Sequence, residues 1–133
     1  MRVYFLIIIA LLISSSLPAQ TFKFQVNQKA NVTIGKEWDF KYKQLKTPID
    51  VILKDKVLSM TYTTGKVYWN TNVLEINEIK DGLTLKCKDN KGYVFYILYE
   101  KINDQGSISE EIKIPFILDG KIISYEYFLN YKL

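Results

Sequence analysis

The chain contains no histidine and only one cysteine, Cys87, among its 133 residues. Histidine is the commonest general base near neutral pH, the usual base of a catalytic triad and the usual zinc or copper ligand. Its absence argues against metal-dependent hydrolysis and against Ser-His-Asp or Cys-His catalysis, so we predict no metal site and no cofactor. A single cysteine excludes an intramolecular disulfide. Because Leu83, Leu85 and Cys87 fall on one face of a predicted strand, we expect the thiol to be buried.

Arginine is nearly absent as well, since Arg2 is the only one in the chain. The other cations are lysines, and lysine lacks the planar fork with which arginine recognises phosphate and guanine in a bidentate manner. The lysines are also scattered singly, with acidic residues between them. We therefore predict a solvated outer surface and no nucleic-acid partner.

The one long apolar run is at the N-terminus, where Arg2 precedes the segment Val3–Ile13 and the small-residue segment Ser14–Gln20 follows. This order is typical of a signal peptide of bacterial type. The eleven apolar residues are fewer than the roughly 20 that a membrane-spanning helix requires. We predict a cleaved leader at residues 1–20 and one domain at residues 21–133. That domain is expected to be exported, periplasmic or secreted, and not membrane-spanning after cleavage.

Residues 21–133 show no helical period, and apolar residues instead recur at every second position. Phe22, Phe24 and Val26 alternate with polar residues, and Trp38, Phe40 and Tyr42 do the same, so both segments are predicted to be half-buried strands. Pro48 is expected at a strand start or edge, because it cannot donate to a ladder. Later predicted strands include Val57–Thr63, Lys66–Asn70, Val73–Ile79, Leu83–Lys88, Tyr93–Ile102, Ser107–Leu118 and Lys121–Leu133.

Turn residues such as Asp55-Lys56, Asp81-Gly82 and Asp119-Gly120 separate these strands at intervals typical of hairpins. The pattern predicts an all-β fold, an antiparallel meander of about eight or nine strands. A small up-and-down barrel is favoured, with a sandwich as the second choice, because closure removes edges that would otherwise pair with another chain. An eight-stranded interior is either filled by side chains or holds one small ligand.

Gly35-Lys36-Glu37-Trp38 and the order of hairpins resemble the small lipocalin-like barrels. That resemblance implies a barrel that binds an apolar molecule. The chain departs from the family in the spacing of glycine and tryptophan, and after cleavage it lacks the arginine that covers the family's tryptophan. We therefore assign no family on the sequence.

Aromatic residues are the remaining signal, with ten tyrosines, seven phenylalanines and two tryptophans. Aromatic side chains line pockets and anchor interfaces. The segment Tyr93–Tyr99 is apolar on both faces, so its outer face needs a cover. The candidates for contact with a ligand or partner are Trp38, Tyr62, Trp69, Tyr96, Tyr125 and Tyr127.

We expect an exported, non-enzymatic binding domain for a small apolar ligand or for another exported protein. The alternative is a small hydrolase with paired carboxylates, since two acidic groups suffice for glycoside hydrolysis. Glu37 with Asp39 would share a strand face, whereas Glu110 and Glu111 would point to opposite sides. The other candidate acids are Glu75, Glu78 and Glu126.

Overall fold

The computed structural model describes residues 22–130. The predicted signal peptide lies outside these residues. The strands are β1 Phe22–Thr33, β2 Lys43–Lys54, β3 Val57–Tyr62, β4 Val67–Ile79, β5 Gly82–Lys88, β6 Val94–Asp104, β7 Ser107–Leu118 and β8 Lys121–Asn130.

Each strand pairs antiparallel with the next one in sequence, and β8 returns to pair with β1. The sheet is therefore a closed up-and-down barrel, as the turn spacing predicted, and not a sandwich. Closure satisfies the backbone groups that an open sheet would leave exposed at its two edges. Six residue pairs, from Gln28–Leu129 to Thr33–Ser124, form the closing ladder.

Alternate connections of a meander lie at the same end of the barrel. One end, here called the short-turn end, carries the β2–β3, β4–β5 and β6–β7 turns. Asp55 and Lys56 both adopt positive φ there, at 53° and 59°, as the primed hairpin turns require. The opposite end, here called the loop end, carries the β3–β4, β5–β6 and β7–β8 turns and the longer β1–β2 connection, residues 34–42.

The barrel interior is a filled hydrophobic core to which every strand contributes. One buried residue from each strand in turn illustrates this: Val26, Ile49, Leu58, Val73, Leu85, Ile97, Ile112 and Phe128. At the short-turn end, the ring of Phe22 stacks on that of Tyr99 with centroids 4.4 Å apart. The core thus extends to that end of the barrel.

Cys87 belongs to this core and is fully buried, which confirms the expectation for the thiol. Burial raises its pKa to about 12. The thiolate is the nucleophilic form of cysteine, so a thiol held in this way is unreactive near neutral pH.

The predicted strand at Trp38–Tyr42 is wrong. Residues Glu37–Asp39 instead form a single 3-10 turn, and the side chain of Trp38 is 82% exposed. The backbone N–H of Lys36 donates to the carbonyl oxygen of Thr33, which turns the chain away from the sheet as β1 ends. Three alternating aromatic residues are too short a pattern to distinguish a strand from a loop that lies on the barrel wall.

Two boundaries also differ from the prediction. The predicted strands Lys66–Asn70 and Val73–Ile79 are one strand, β4, because Thr71 and Asn72 continue the ladder opposite Leu58 and Val57. Pro48 lies inside β2, where the β1 ladder is interrupted between the pairs Val26–Ile49 and Gln28–Gln44. A missing N–H is tolerated there because no ladder bond requires it.

The contrast between Phe128 and Trp38 is testable. Phe128→Ala should lower the free energy of unfolding by about 3–5 kcal/mol, because it leaves a cavity in a filled core. Trp38→Ala should change it by less than about 0.5 kcal/mol, as expected of an exposed side chain. Urea denaturation followed by far-ultraviolet circular dichroism measures both. A loss at Trp38 comparable to that at Phe128 would contradict the exposed position.

Candidate functional site

A lysine enters the barrel beyond an irregularity in the β1–β2 ladder. Phe24 and Val26 point inwards, but the register shifts between Val26 and Gln28. Beyond the shift, Lys29 lies opposite Phe128, whose side chain is fully buried in the core. Residues directly opposite each other in an antiparallel ladder share a face. Lys29 therefore enters the loop end of the interior.

Lys29, Tyr68 and Glu126 form a hydrogen-bonded cluster at this position. The ammonium Nζ of Lys29 lies 3.1 Å from the hydroxyl oxygen of Tyr68 and 3.2 Å from Oε2 of Glu126. The Tyr68 hydroxyl donates to the same carboxylate oxygen at 2.6 Å. The three groups come from β1, β4 and β8, so the cluster ties together strands that are distant in sequence.

The protonation of the cluster follows from its surroundings. Burial lowers the pKa of Lys29, but the hydrogen bond to Tyr68 and the charge of Glu126 outweigh burial and raise the pKa above its ordinary value. Burial raises the pKa of Tyr68, and its bond to Glu126 adds to the increase. Lys29 stays charged and Tyr68 stays neutral at physiological pH.

Beside this cluster lies a cleft of about 430 Å³, here called the aromatic cleft. The rings of Trp69 and Phe95, with centroids 6.3 Å apart, form part of its wall. Its lining residues are Tyr68, Trp69, Asp89, Phe95, Ile114, Pro115, Phe116, Ile117 and Glu126.

The aromatic cleft exists because β6 and β7 separate towards the loop end. Their pairing runs from Asp104–Ser107 to Leu98–Lys113 and stops there. Pro115, on the far side of that point, has no N–H to donate to a ladder. A register shift between Phe116 and Ile117 in the β7–β8 ladder then redirects the end of β7. The result is a lateral opening between the two strands.

The tips of the two neighbouring hairpins meet above this opening. A Cβ atom placed on Gly120 would lie 2.9 Å from the ring of Tyr93, so the ring packs directly against the glycine. Gly120 also has a positive φ of 78°, a conformation that glycine adopts without strain. The opening is therefore bounded by the last β6–β7 pair below and by this contact above.

A second cleft at the loop end, of about 530 Å³, lies under the β1–β2 connection. We call it the lysine cleft. It shares no lining residue with the aromatic cleft, although Lys29 of the cluster forms part of its wall. Its lining residues are Lys29, Asn31, Asp39, Lys41, Lys43, Gln44 and Leu45.

Phe40 and Tyr42, two of the three aromatic residues in the β1–β2 connection, pack on the outside of the barrel. Phe40 meets Tyr127 edge to face with centroids 4.9 Å apart, and the Tyr42 hydroxyl donates to the Glu111 carboxylate. The ammonium of Lys113 lies 4.2 Å from the centroid of the Tyr125 ring, a cation–π contact. We call these residues, Phe40, Tyr42, Glu111, Lys113, Tyr125 and Tyr127, the outer cluster. Its contacts hold the β1–β2 connection, which forms part of the wall of the lysine cleft, against the barrel.

The six aromatic residues predicted for binding lie in four separate places. Trp69 lines the aromatic cleft, and Tyr62 lies next to it on the inner face, edge to face with Tyr68. Tyr125 and Tyr127 belong to the outer cluster. Trp38 is exposed on the loop, and Tyr96, on the outer face of β6, is 57% exposed.

Sequence reasoning missed Lys29, Tyr68, Phe95 and Phe116. Adjacent aromatic residues at 68 and 69 break the two-residue alternation, and this was a usable sign of a bulge. The register between β3 and β4 does shift there, between Met60 and Thr61. No comparable sign marked Lys29, because its inward position depends on pairing with β8.

The acidic residues predicted as possible pairs are dispersed. Glu110 accepts a hydrogen bond from Tyr99 at 2.6 Å, whereas Glu111 accepts one from Tyr42, so they face opposite sides of β7 as predicted. Glu37, in the 3-10 turn, accepts the backbone N–H of Gly35. Within residues 22–130, no group of three metal-ligating side chains is present.

No protein-family model matches this chain, and neither the curated proteins nor the solved structures give a significant match. The resemblance to lipocalin-like barrels therefore stays a prediction from the sequence. No helix within residues 22–130 has the length and apolarity that a membrane crossing requires.

The Lys29 cluster should be important for stability. Lys29→Met should lower the free energy of unfolding by about 1–2 kcal/mol, because it leaves the half-buried Glu126 without its cation. Lys23→Met, an exposed change on the same strand, is the charge-matched control and should stay within about 0.5 kcal/mol of the parent protein. Chemical denaturation of both variants measures the difference, and equal effects would contradict the role of the cluster.

Glu111 gives a pH-dependent prediction. Burial raises the pKa of this carboxyl, and the charge of Glu100 raises it further, although the Tyr42 bond acts in the opposite direction. A carboxyl whose pKa is higher in the folded state stabilises the fold when protonated, and that stability is lost as the pH rises through its folded pKa. Glu111→Gln should therefore raise the urea midpoint at about pH 7, and the gain should shrink at about pH 3.5.

The exposed Glu75→Gln serves as the charge-matched control for Glu111→Gln. A gain at Glu111 that is the same at both pH values would contradict the prediction.

Proposed function

We propose that this chain is an exported, non-enzymatic binding domain whose ligand is a small apolar molecule held in the aromatic cleft. The observation that carries the proposal is the cleft itself, an opening of about 430 Å³ where aromatic and branched apolar side chains converge above a filled core. Binding sites for small molecules have volumes of roughly 300–1,000 Å³ and mostly apolar walls with a few polar groups.

The shape of the cleft favours a ligand that enters from the side of the barrel. The unpaired ends of β6 and β7 leave a gap next to Phe95 and Phe116, while the interior below is occupied by core side chains. Phe116 is 49% exposed at this gap. An apolar ligand would cover this ring and bury surface that water now contacts, which is favourable by about 25 cal/mol per Å².

The acidic residues of the cleft support binding over hydrolysis. The Glu126 carboxylate is already engaged by Lys29 and Tyr68. Asp89 accepts backbone N–H groups of Lys91 and Tyr93 at 2.9 and 2.8 Å, so it shapes the β5–β6 turn. A carboxylate pair for hydrolysis requires one group free to protonate the leaving group and another free to attack or to activate water. Both carboxylates have structural partners instead.

A protein partner on the outer face of β6 is the second candidate. Val94 and Tyr96 are 48% and 57% exposed on this face. We favour the small ligand because the aromatic cleft is concave and collects several apolar side chains, whereas the β6 face is a single exposed strand.

Binding of a neutral apolar dye such as Nile red tests the proposal. Trp38→Phe leaves Trp69 as the only tryptophan of the chain, which has two, so all tryptophan emission then comes from the wall of the cleft. The dye should quench this emission saturably, at one molecule per chain. In the same background, Phe116→Lys should weaken binding about tenfold, because it removes an apolar contact and introduces a charge.

Ile108→Lys is the matched control, since Ile108 is 56% exposed at the short-turn end. It should bind the dye as the parent does. Equal affinities of the Phe116 and Ile108 variants, or no saturable quenching of Trp69 in the folded protein, would overturn the aromatic cleft as the site. Native mass spectrometry of protein purified from its host would then identify what co-purifies.

A further inference from the structure

We propose that the lysine cleft is a second site, which binds a small multivalent anion such as a polycarboxylate or a polyphosphate. The inference is independent of the proposed function, because none of the residues that line this cleft lines the aromatic cleft. Three lysines from β1, the connection and the start of β2 converge on one opening of about 530 Å³.

The register of β1 and β2 places two of these cations opposite each other. Lys29 pairs directly with Lys43, and the adjacent pair joins Gln28 to Gln44. Like charges directly opposite in an antiparallel pair are destabilising. A local conflict of this kind is expected where a site serves binding more than stability. An anion between the two ammonium groups would remove the repulsion.

Only one of the two opposed lysines is compensated by the protein. Lys29 has Glu126 as its ion-pair partner on the inner side. Neither Lys43 nor Lys41 has an ion-pair partner among residues 22–130. Within residues 22–130, three lysines and the acid Asp39 line the cleft, so the formal charge of its lining is +2, or +1 if Glu126 is also counted. The cleft therefore has a net positive charge.

The lining of the cleft also includes neutral polar side chains. Asn31 lies two residues beyond Lys29 on the same strand face and lines the opening, and Gln44 beside Lys43 is a further lining residue. Lys29 itself is held in place by Tyr68 and Glu126. One cation held by the protein, two lysines without an ion-pair partner among residues 22–130 and the Asn31 amide form a site for several oxygens of one anion. A lysine ammonium is a point charge and lacks the planar, bidentate guanidinium group of arginine. The site therefore selects an anion by its charge more than by the planar geometry of its oxygens.

Citrate and inorganic pyrophosphate are suitable probes, one a carboxylate and the other a phosphate. Amide ¹H–¹⁵N spectra of the protein at low salt should show saturable shifts at residues 29–31 and 39–45 on titration. The shifts should weaken with added sodium chloride, as expected of an exposed electrostatic site. Saturable shifts in these segments with either citrate or pyrophosphate support the site. A much stronger response to one of the two anions identifies the class of anion that the site binds.

The double variant Lys41→Gln/Lys43→Gln should weaken binding about tenfold or more, since it removes two charge-assisted contacts. Lys54→Gln/Lys80→Gln makes the same change in net charge at the short-turn end and should bind as the parent does. Equal losses in the two double variants would show attraction by net charge alone and overturn the site. Unchanged binding in Lys41→Gln/Lys43→Gln, or shifts confined to other segments, would do so as well.

Discussion

Closure of the sheet between β1 and β8 is the constraint on which the rest of this structure depends. An all-antiparallel meander of this length has two hydrophobic edges until its first and last strands pair, and each edge is a template for another chain. The closing ladder also sets which residues of β1 point inwards. It is this ladder that places Lys29 opposite the buried Phe128 and Asn31 opposite Glu126.

The candidate sites arise where the regular ladder fails. A register shift in β1 turns Lys29 inwards, and another between β3 and β4 lets the adjacent Tyr68 and Trp69 both reach the loop end. A third shift, between Phe116 and Ile117 in the β7–β8 ladder, lies beside the gap where β6 and β7 stop pairing. Bulges are known to re-aim side chains at the rims of barrels. These three act at the loop end, whereas at the short-turn end the rings of Phe22 and Tyr99 stack beside an opening of about 400 Å³.

Polar groups inside a barrel require partners, and the Lys29 cluster shows how this chain supplies them. Among residues 22–130, no buried side-chain nitrogen or oxygen lacks a hydrogen-bond partner. The cluster separates two clefts of different character, one lined mainly by aromatic and branched apolar residues and the other by lysines and amides. The loop end can thereby offer an apolar surface and a cationic surface without an unpaired charge in the core.

Local patterns determined much of the fold. Alternation of apolar residues and positive-φ turn residues fixed β7 at Ser107–Leu118 and predicted the buried face of Leu83, Leu85 and Cys87. Those signals are local, because side-chain direction in a strand has a period of two and a hairpin turn depends on two or three residues. The same alternation failed at Trp38–Tyr42, where the pattern was short and the segment packs on the barrel as a loop.

The sites were decided by tertiary structure. Trp69 was singled out from its residue type alone, but its neighbours Phe95 and Phe116 come from strands whose separation could not be read from local sequence. Lys29 looked like any solvated lysine until pairing with β8 turned it inwards. The sequence by itself determined a curled antiparallel sheet, and the tertiary structure showed that core side chains fill its interior. Only the tertiary structure decided which irregularities meet at one end, because register between strands distant in sequence depends on closure of the whole barrel.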